Sequence, residues 1–235
     1  MSIANINAAT YHFPVIDCST LYASGQTTSG VYTLDSSLRG QAYCDMKKAG
    51  GGWTVIQRRQ DGSVPFNRTW EEYRRGFGNL SLSREYWLGN ENIHILTSQK
   101  DYTLRVDMID WEGETAYAEY SSFRVSNESD GYRLHISGYS GTAGDSMTGR
   151  FVSQNGQMFS TMDRDNDANS GSCSQRFGQA GWWYGLCSRS FLNGHYLGSC
   201  HRPENSCPKY QGVLWYRWRG DRYSLKSVSM KIRPN

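Results

Sequence analysis

Tyr102-Thr103-Leu104-Arg105-Val106-Asp107-Met108 sets apolar side chains at every second position with polar ones between them. That period of two marks a strand with one buried and one wet face. Ala116-Tyr117-Ala118-Glu119-Tyr120 reads as its hairpin partner across residues 110–114, and Tyr132-Arg133-Leu134-His135-Ile136 as a third strand. On the amino-terminal side, Trp53-Thr54-Val55-Ile56-Gln57-Arg58-Arg59 is β-branched and aromatic-rich, which fits a strand buried on both faces. Residues 30–34 and 41–46 are two shorter strands, and Gly50-Gly51-Gly52 supplies a turn that only glycine makes cheaply. Val228, Met230 and Ile232 restore alternation near the carboxyl end, so a final strand returns to the sheet.

Two short helices accompany the strands. Thr69-Trp70-Glu71-Glu72 is a capping box, in which Thr69 accepts from the backbone of Glu72 while the Glu72 carboxylate reaches back. Trp70, Tyr73 and Phe77 then share one face, and Gly78 is expected to end the helix. The second helix carries Ile93 and Leu96. Past residue 137, Gly, Ser, Asn and Asp dominate and periodicity is lost until about residue 212, which predicts long, ordered loops. Loops of that length within a compact domain are usually functional. The class is α+β: a central antiparallel sheet, two short helices and a loop-rich carboxyl region.

Composition excludes several functions. The 235 residues carry 25 Lys and Arg against 22 Asp and Glu, scattered rather than striped, so no nucleic-acid footprint is present. No apolar run reaches the length of a membrane span. The start, Met1-Ser2-Ile3-Ala4, lacks a basic region leading into an apolar core, and Met1 is taken as the beginning of a fragment, with residues 1–16 a linker. Cys18, Cys44, Cys173, Cys187, Cys200 and Cys207 allow fifteen pairings, among which sequence alone does not choose. With the glycosylation acceptor patterns at Asn67, Asn79 and Asn127 they indicate a secreted protein.

The loop region holds the candidate chemistry. Asp163-Arg164-Asp165-Asn166-Asp167 alternates carboxylates ahead of small residues with free carbonyls, a donor set suited to Ca²⁺. Gly at the sixth position and Glu at the twelfth are missing, which excludes an EF-hand. Gly144-Asp145-Ser146 looks like a serine-protease nucleophile turn, yet Met147-Thr148 follows and no partnering His context exists, so catalysis is not expected. His12, His94, His135, His195 and His201 show no metal spacing. Eight Trp and sixteen Tyr are many for this length, and Phe177, Trp182, Trp183, Tyr184, Tyr210, Trp215 and Tyr216 crowd the loop region. Trp183 and Trp215 are expected in the core; the others suit either a core or an amphipathic pocket.

Cys44-Asp45-Met46, Gly52-Trp53-Thr54-Val55, Tyr86-Trp87-Leu88-Gly89, Tyr139-Ser140-Gly141, Asp163 through Asp167, Gly181-Trp182-Trp183-Tyr184, Leu192-Asn193-Gly194 and Met230-Lys231-Ile232-Arg233-Pro234 occur in order. Together they resemble the fibrinogen-related domain family from about residue 17 to the end, and within it the ficolin and tachylectin lectin branch, of an invertebrate immune kind. The resemblance implies a fibrinogen C-terminal-like domain over 17–235. Its parts would be an amino-terminal subdomain (17–60), a central sheet subdomain (61–137 with 222–233) and a calcium-binding, ligand-binding subdomain (138–221). It implies bridges Cys18–Cys44 and Cys173–Cys187; the insertion at 198–208, with its own expected bridge Cys200–Cys207, departs from the family. Ca²⁺ would be held by the side chains of Asp165 and Asp167 and the carbonyls of Asn169 and Gly171, with Asp163 a neighbour. An acetyl-binding pocket would form at Cys187–Ser188, through a cis peptide, between Phe177 and Tyr210.

Ser188 stands where that branch usually has His, and Phe177 where it often has Tyr, so two polar handles are missing. The expected function is a calcium-dependent, non-enzymatic pattern-recognition lectin of innate immunity. Its partners would be microbial or acetylated glycans, with self-association supplying avidity. The rival is a protein-binding module, either a receptor ligand or a pocket for a peptide amino terminus. The absence of an acidic residue among Phe177, Ser188 and Tyr210 counts against an amine ligand.

Overall fold

The computed structural model describes residues 17–34, 40–81, 84–149, 152–201 and 206–235; the expected linker, residues 1–16, lies outside them. In chain order the elements begin with α1 (Cys18–Ala23), β1 (Gly30–Thr33), β2 (Gln41–Asp45), β3 (Trp53–Arg59), α2 (Trp70–Arg75), β4 (Phe77–Gly78), β5 (Tyr86–Trp87) and α3 (Asn90–Thr97). They continue with β6 (Tyr102–Ile109), β7 (Thr115–Val125), β8 (Leu134–Gly141), α4 (Cys173–Arg176), β9 (Ser190–Phe191), β10 (Leu214–Trp215), α5 (Tyr216–Arg219) and β11 (Ser227–Pro234). The class is the expected α+β, with one antiparallel sheet in the order β1-β2-β3-β11-β6-β7-β8 and β4 and β5 off β3. Because β11 runs between β3 and β6, this one sheet joins strands on both sides of residue 60.

The alternation that predicts β6 is the burial observed. Tyr102, Leu104, Val106 and Met108 are buried, and the residues between them are half-buried. All seven residues of β3 are buried. On β11 a register shift between Met230 and Lys231 buries three consecutive side chains, Lys231 among them. The lysine is compensated there by Asp45 at 3.0 Å and Asp107 at 2.7 Å. Burial pushes the Asp45 carboxyl up, but the Lys231 charge and the Lys48 N–H outweigh it and hold the carboxyl below its usual range.

Three expectations need correction. Five α-helices, not two, occur among the described residues. The missed α1 starts where Asp17 Oδ1 accepts the Thr20 N–H at 2.8 Å, while Asp17 Oδ2 takes Tyr102 Oη at 2.9 Å. The third strand begins at Leu134, because Tyr132 has a left-handed backbone with φ 49°. The capping box at Thr69 and Glu72 is formed, but α2 ends at Gly76 and not Gly78. Gly76 has φ 92°, and a Cβ there would lie 2.6 Å from the Leu88 carbonyl oxygen. Gly76→Ala is therefore expected to lose more than about 1 kcal/mol of stability, read as a lower denaturant midpoint with an unchanged slope.

Candidate recognition site

The loop region is held to the sheet by side chains of β3. Gln57 Nε2 donates to the Leu192 carbonyl (2.9 Å) and to Asn193 Oδ1 (3.1 Å), and Arg59 Nη1 donates to the carbonyls of Leu192 (3.1 Å) and Gly194 (2.7 Å). Asn193 Nδ2 passes the connection on to the Gly181 carbonyl at 2.9 Å. From there Trp182, Trp183 and Tyr184 run through the interior, fully buried. Trp183 and Trp215 are core residues, as expected.

Three bridges, Cys18–Cys44, Cys173–Cys187 and Cys200–Cys207, use all six cysteines. The second carries the site. Ahead of it, the acidic run folds on itself: Asp165 Oδ1 accepts the Asp167 N–H (3.2 Å), and Asp167 accepts the N–H groups of Asn169 (2.9 Å) and Cys173 (2.8 Å). Burial, with the neighbouring Asp165 charge adding to it, raises the Asp167 pKa. The Asn169 amide turns to Cys187 Sγ at 3.2 Å, leaving its carbonyl as the oxygen it could offer a cation. Gly171 is exposed. Asp163 faces elsewhere, accepting the Trp70 N–H at the start of α2 (2.9 Å) and the Thr161 hydroxyl (2.7 Å). Among the described residues, no set of three His, Cys, Asp or Glu side chains gathers as a metal cluster.

Beyond the bridge the expected pocket residues meet. The Phe177 and Tyr210 rings are 6.0 Å apart, edge to face, and Tyr216 lies parallel to Tyr210 at 6.5 Å. Burial first, and the Asp221 charge second, raise the Tyr210 pKa. Three of the five non-glycine residues with left-handed backbone among those described are here: Gln179, Cys187 and Tyr210. Each such residue costs about 1–3 kcal/mol, and such strain clusters at functional sites. Ser188, however, is spent on the protein. Its Oγ donates to the Ser190 carbonyl and accepts from Gln154 Nε2 and from the Ser190 N–H. Next to this bridge Leu186 is 68% exposed, the most exposed large apolar side chain among those described.

Sequence reasoning missed Leu186 and two arginines. The Arg176 guanidinium stands 5.1 Å from the Phe177 ring centre, and that of Arg189 4.9 Å from Tyr216. Within the insertion, His201 stacks on Tyr223 (4.5 Å) and bonds to Glu112 (2.9 Å). Gly144-Asp145-Ser146 is structural: Asp145 accepts the Met147 and Thr148 N–H groups and the Tyr120 hydroxyl, and Ser146 accepts the Arg217 N–H. The acceptor residues Asn67, Asn79 and Asn127 are all exposed.

The site is thus a disulfide-tied loop region with half-buried rings, carried on an antiparallel sheet. The chain belongs to the family described as fibrinogen beta and gamma chains, C-terminal globular domain, which matches residues 15–235. It is 48% identical over 230 residues to fibrinogen-like protein 1 of Bos taurus, covering 93% of this chain and 72% of that protein. The fibrinogen-like globe domain of human ANGPTL2 superposes with a TM-score of 0.85 at 46% identity, covering 94% of this chain and all of that one. A lamprey fibrin D-dimer, complexed with the peptide ligand Gly-His-Arg-Pro-amide, superposes with a TM-score of 0.84 at 40% identity, covering 93% of this chain and 73% of that one.

These relatives correct the sequence reading. They place the chain with fibrinogen-like and angiopoietin-like proteins, not with the ficolin and tachylectin branch. The calcium-dependent lectin of innate immunity, with microbial or acetylated glycans as partners, falls with that placement. The physical reason is Ser188, whose inward hydroxyl offers a sugar no polar handle. As a member of this family the chain is a non-catalytic module.

Proposed function

We propose that this chain is a secreted protein-recognition module whose carboxyl region, residues 138–221, docks an extracellular protein partner. The observation that carries the reading is the row of half-buried rings Phe177, Tyr210 and Tyr216, which follows a disulfide-braced turn whose Leu186 is exposed to water. Tyrosine and arginine are enriched at the buried centres of protein interfaces, so half-buried rings edged by Arg176 and Arg189 suit a protein partner. Support comes from a relative: the lamprey fibrin, 40% identical, is complexed with a peptide. Three disulfides fit an oxidising compartment, and among the described residues no helix is long and apolar enough to cross a membrane. The exposed Asn67, Asn79 and Asn127 are taken as glycan acceptors, to be read as a mass loss on glycosidase treatment.

The test is binding of the purified domain to a panel of receptor ectodomains and, in parallel, to acetylated glycans. The reading expects an ectodomain that binds the parent chain and loses roughly 2 kcal/mol or more with Phe177→Ala or Tyr210→Ala. Binding confined to glycans would overturn it.

Ca²⁺ belongs to the same proposal. Asp165 and Asp167 lie side by side in the loop that leads to the bridge, and no cationic side chain pairs with either among the described residues. Two carboxylates with the carbonyls of Asn169 and Gly171 make an all-oxygen set, which fits a hard cation completed by water. At a hundred times its dissociation constant, Ca²⁺ is expected to stabilise the fold by about 2.7 kcal/mol over a chelator control. Asp167→Ala should abolish that difference; a thermal midpoint indifferent to Ca²⁺ in the parent chain would contradict the site.

A further inference from the structure

The rings of the site are flanked by two arginines, neither of which forms an ion pair among the described residues. Arg176 lies over Phe177, Phe177 meets Tyr210, Tyr210 stacks on Tyr216, and Arg189 lies over Tyr216, so ring contacts run unbroken from one guanidinium to the other. Among the described residues no carboxylate pairs with either arginine. The nearby Asp221 is occupied by Lys209 at 3.5 Å, and Asp145 by two backbone N–H groups and the Tyr120 hydroxyl. Arg189 is also fixed through its backbone, its carbonyl accepting the Tyr216 N–H at 2.9 Å. A guanidinium laid on an aromatic face is pre-organised, keeps its edge donors free and favours a carboxylate over a neutral acceptor.

From this we infer that the partner's contact segment is an acidic peptide stretch with an apolar or aromatic residue between its carboxylates. The inference rests on the reading that this face docks a protein. The carboxylates meet Arg176 and Arg189, and the apolar residue sits on the rings between them. The charge is opposite to that suited to the cationic Gly-His-Arg-Pro-amide of the lamprey complex, which two unpaired arginines would repel.

The experiment uses fluorescein-labelled Asp-Glu-Phe-Asp-Glu, its Asn/Gln analogue and its Lys/Arg analogue, with anisotropy read at low and high salt. The parent domain is expected to bind the acidic peptide at least about tenfold more tightly than the amide analogue, with affinity falling as salt rises. The double variant Arg176→Glu/Arg189→Glu should lose the acidic peptide and gain the basic one. Lys47→Glu/Lys48→Glu, an equal change in net charge on exposed residues after β2, should leave binding unchanged. Thermal midpoints establish that both variants are folded. Equal binding of the amide analogue, equal loss in both double variants, or no binding of any peptide would overturn the inference. If an ectodomain still binds through Phe177 and Tyr210 while the arginine variant is silent, the acidic class fails alone and the docking face stands.

Discussion

Glu85→Ala is expected to cost about 3–5 kcal/mol of stability, because it leaves a buried guanidinium without its counter-charge. Glu85 is fully buried; Oε1 accepts the N–H groups of Gln60 (2.8 Å), Asp61 (3.3 Å) and Gly62 (3.1 Å), and Oε2 that of Val64 (3.1 Å). Its partner is Arg59, 3.5 Å away, 1% exposed and packed over the Phe66 ring at 4.0 Å. Burial pulls the Arg59 pKa down and Glu85 pulls it back up, so removing the glutamate removes the largest compensation for that burial. The damage reaches the site, since Arg59 also holds the carbonyls of Leu192 and Gly194. Chemical denaturation should show the midpoint fall at constant slope, with Arg59→Met added to Glu85→Ala recovering part of the loss. A loss below about 1 kcal/mol would mean that water enters and solvates Arg59.

Trp183→Ala should be comparably severe, at about 3–5 kcal/mol from the cavity alone. The indole is fully buried against Phe159 (5.2 Å), Trp182 (5.3 Å) and Trp87 (6.1 Å), and its N–H donates to the Tyr132 carbonyl at 2.8 Å. Tyr132 is one of the left-handed residues, with φ 49°, so the lost bond also removes a restraint on a strained backbone. Trp183→Phe keeps most of the volume and loses the donor, and is expected to cost roughly half as much. Urea titration followed by far-ultraviolet circular dichroism separates the two variants. Equal losses would place the whole effect in the hydrogen bond.

The sheet was legible because burial writes a period into sequence. Residues 102–108 alternate since one face of β6 meets the core and the other meets solvent. Residues 53–59 do not alternate since β3 is covered on both faces. The helix over Cys18–Ala23 escaped notice because six residues carry no readable period, and its start is set by Asp17, a cap whose second oxygen is engaged 85 residues away. The end of α2 was misplaced by two residues because the sequence offers two glycines, both with left-handed backbone pressed against a carbonyl, and only the Gly76 N–H closes on the Glu72 carbonyl.

The site was legible in part. Phe177 and Tyr210 do meet, although 33 positions separate them, because family motifs mark their surroundings. Arg176 and Arg189 were invisible: scattered basic residues give no local pattern, and the Cys173–Cys187 bridge and the Tyr216 backbone bring these two to one row of rings. The lectin assignment failed for a related reason. Motifs shared across a fold family report the scaffold, whereas the ligand is chosen by what lines the pocket. Ser188 and Phe177 were the visible departures that pointed away from sugar.

The most direct measurement is site-specific photo-crosslinking with a benzophenone amino acid in place of Leu186, the domain being presented with a panel of receptor ectodomains and acetylated glycans. The account predicts a covalent adduct with a discrete ectodomain, absent when the probe replaces the distant Lys47 and competed away by unlabelled parent domain but not by the Tyr210→Ala variant. Adducts confined to glycans, or equal yields from both probe positions, would contradict it.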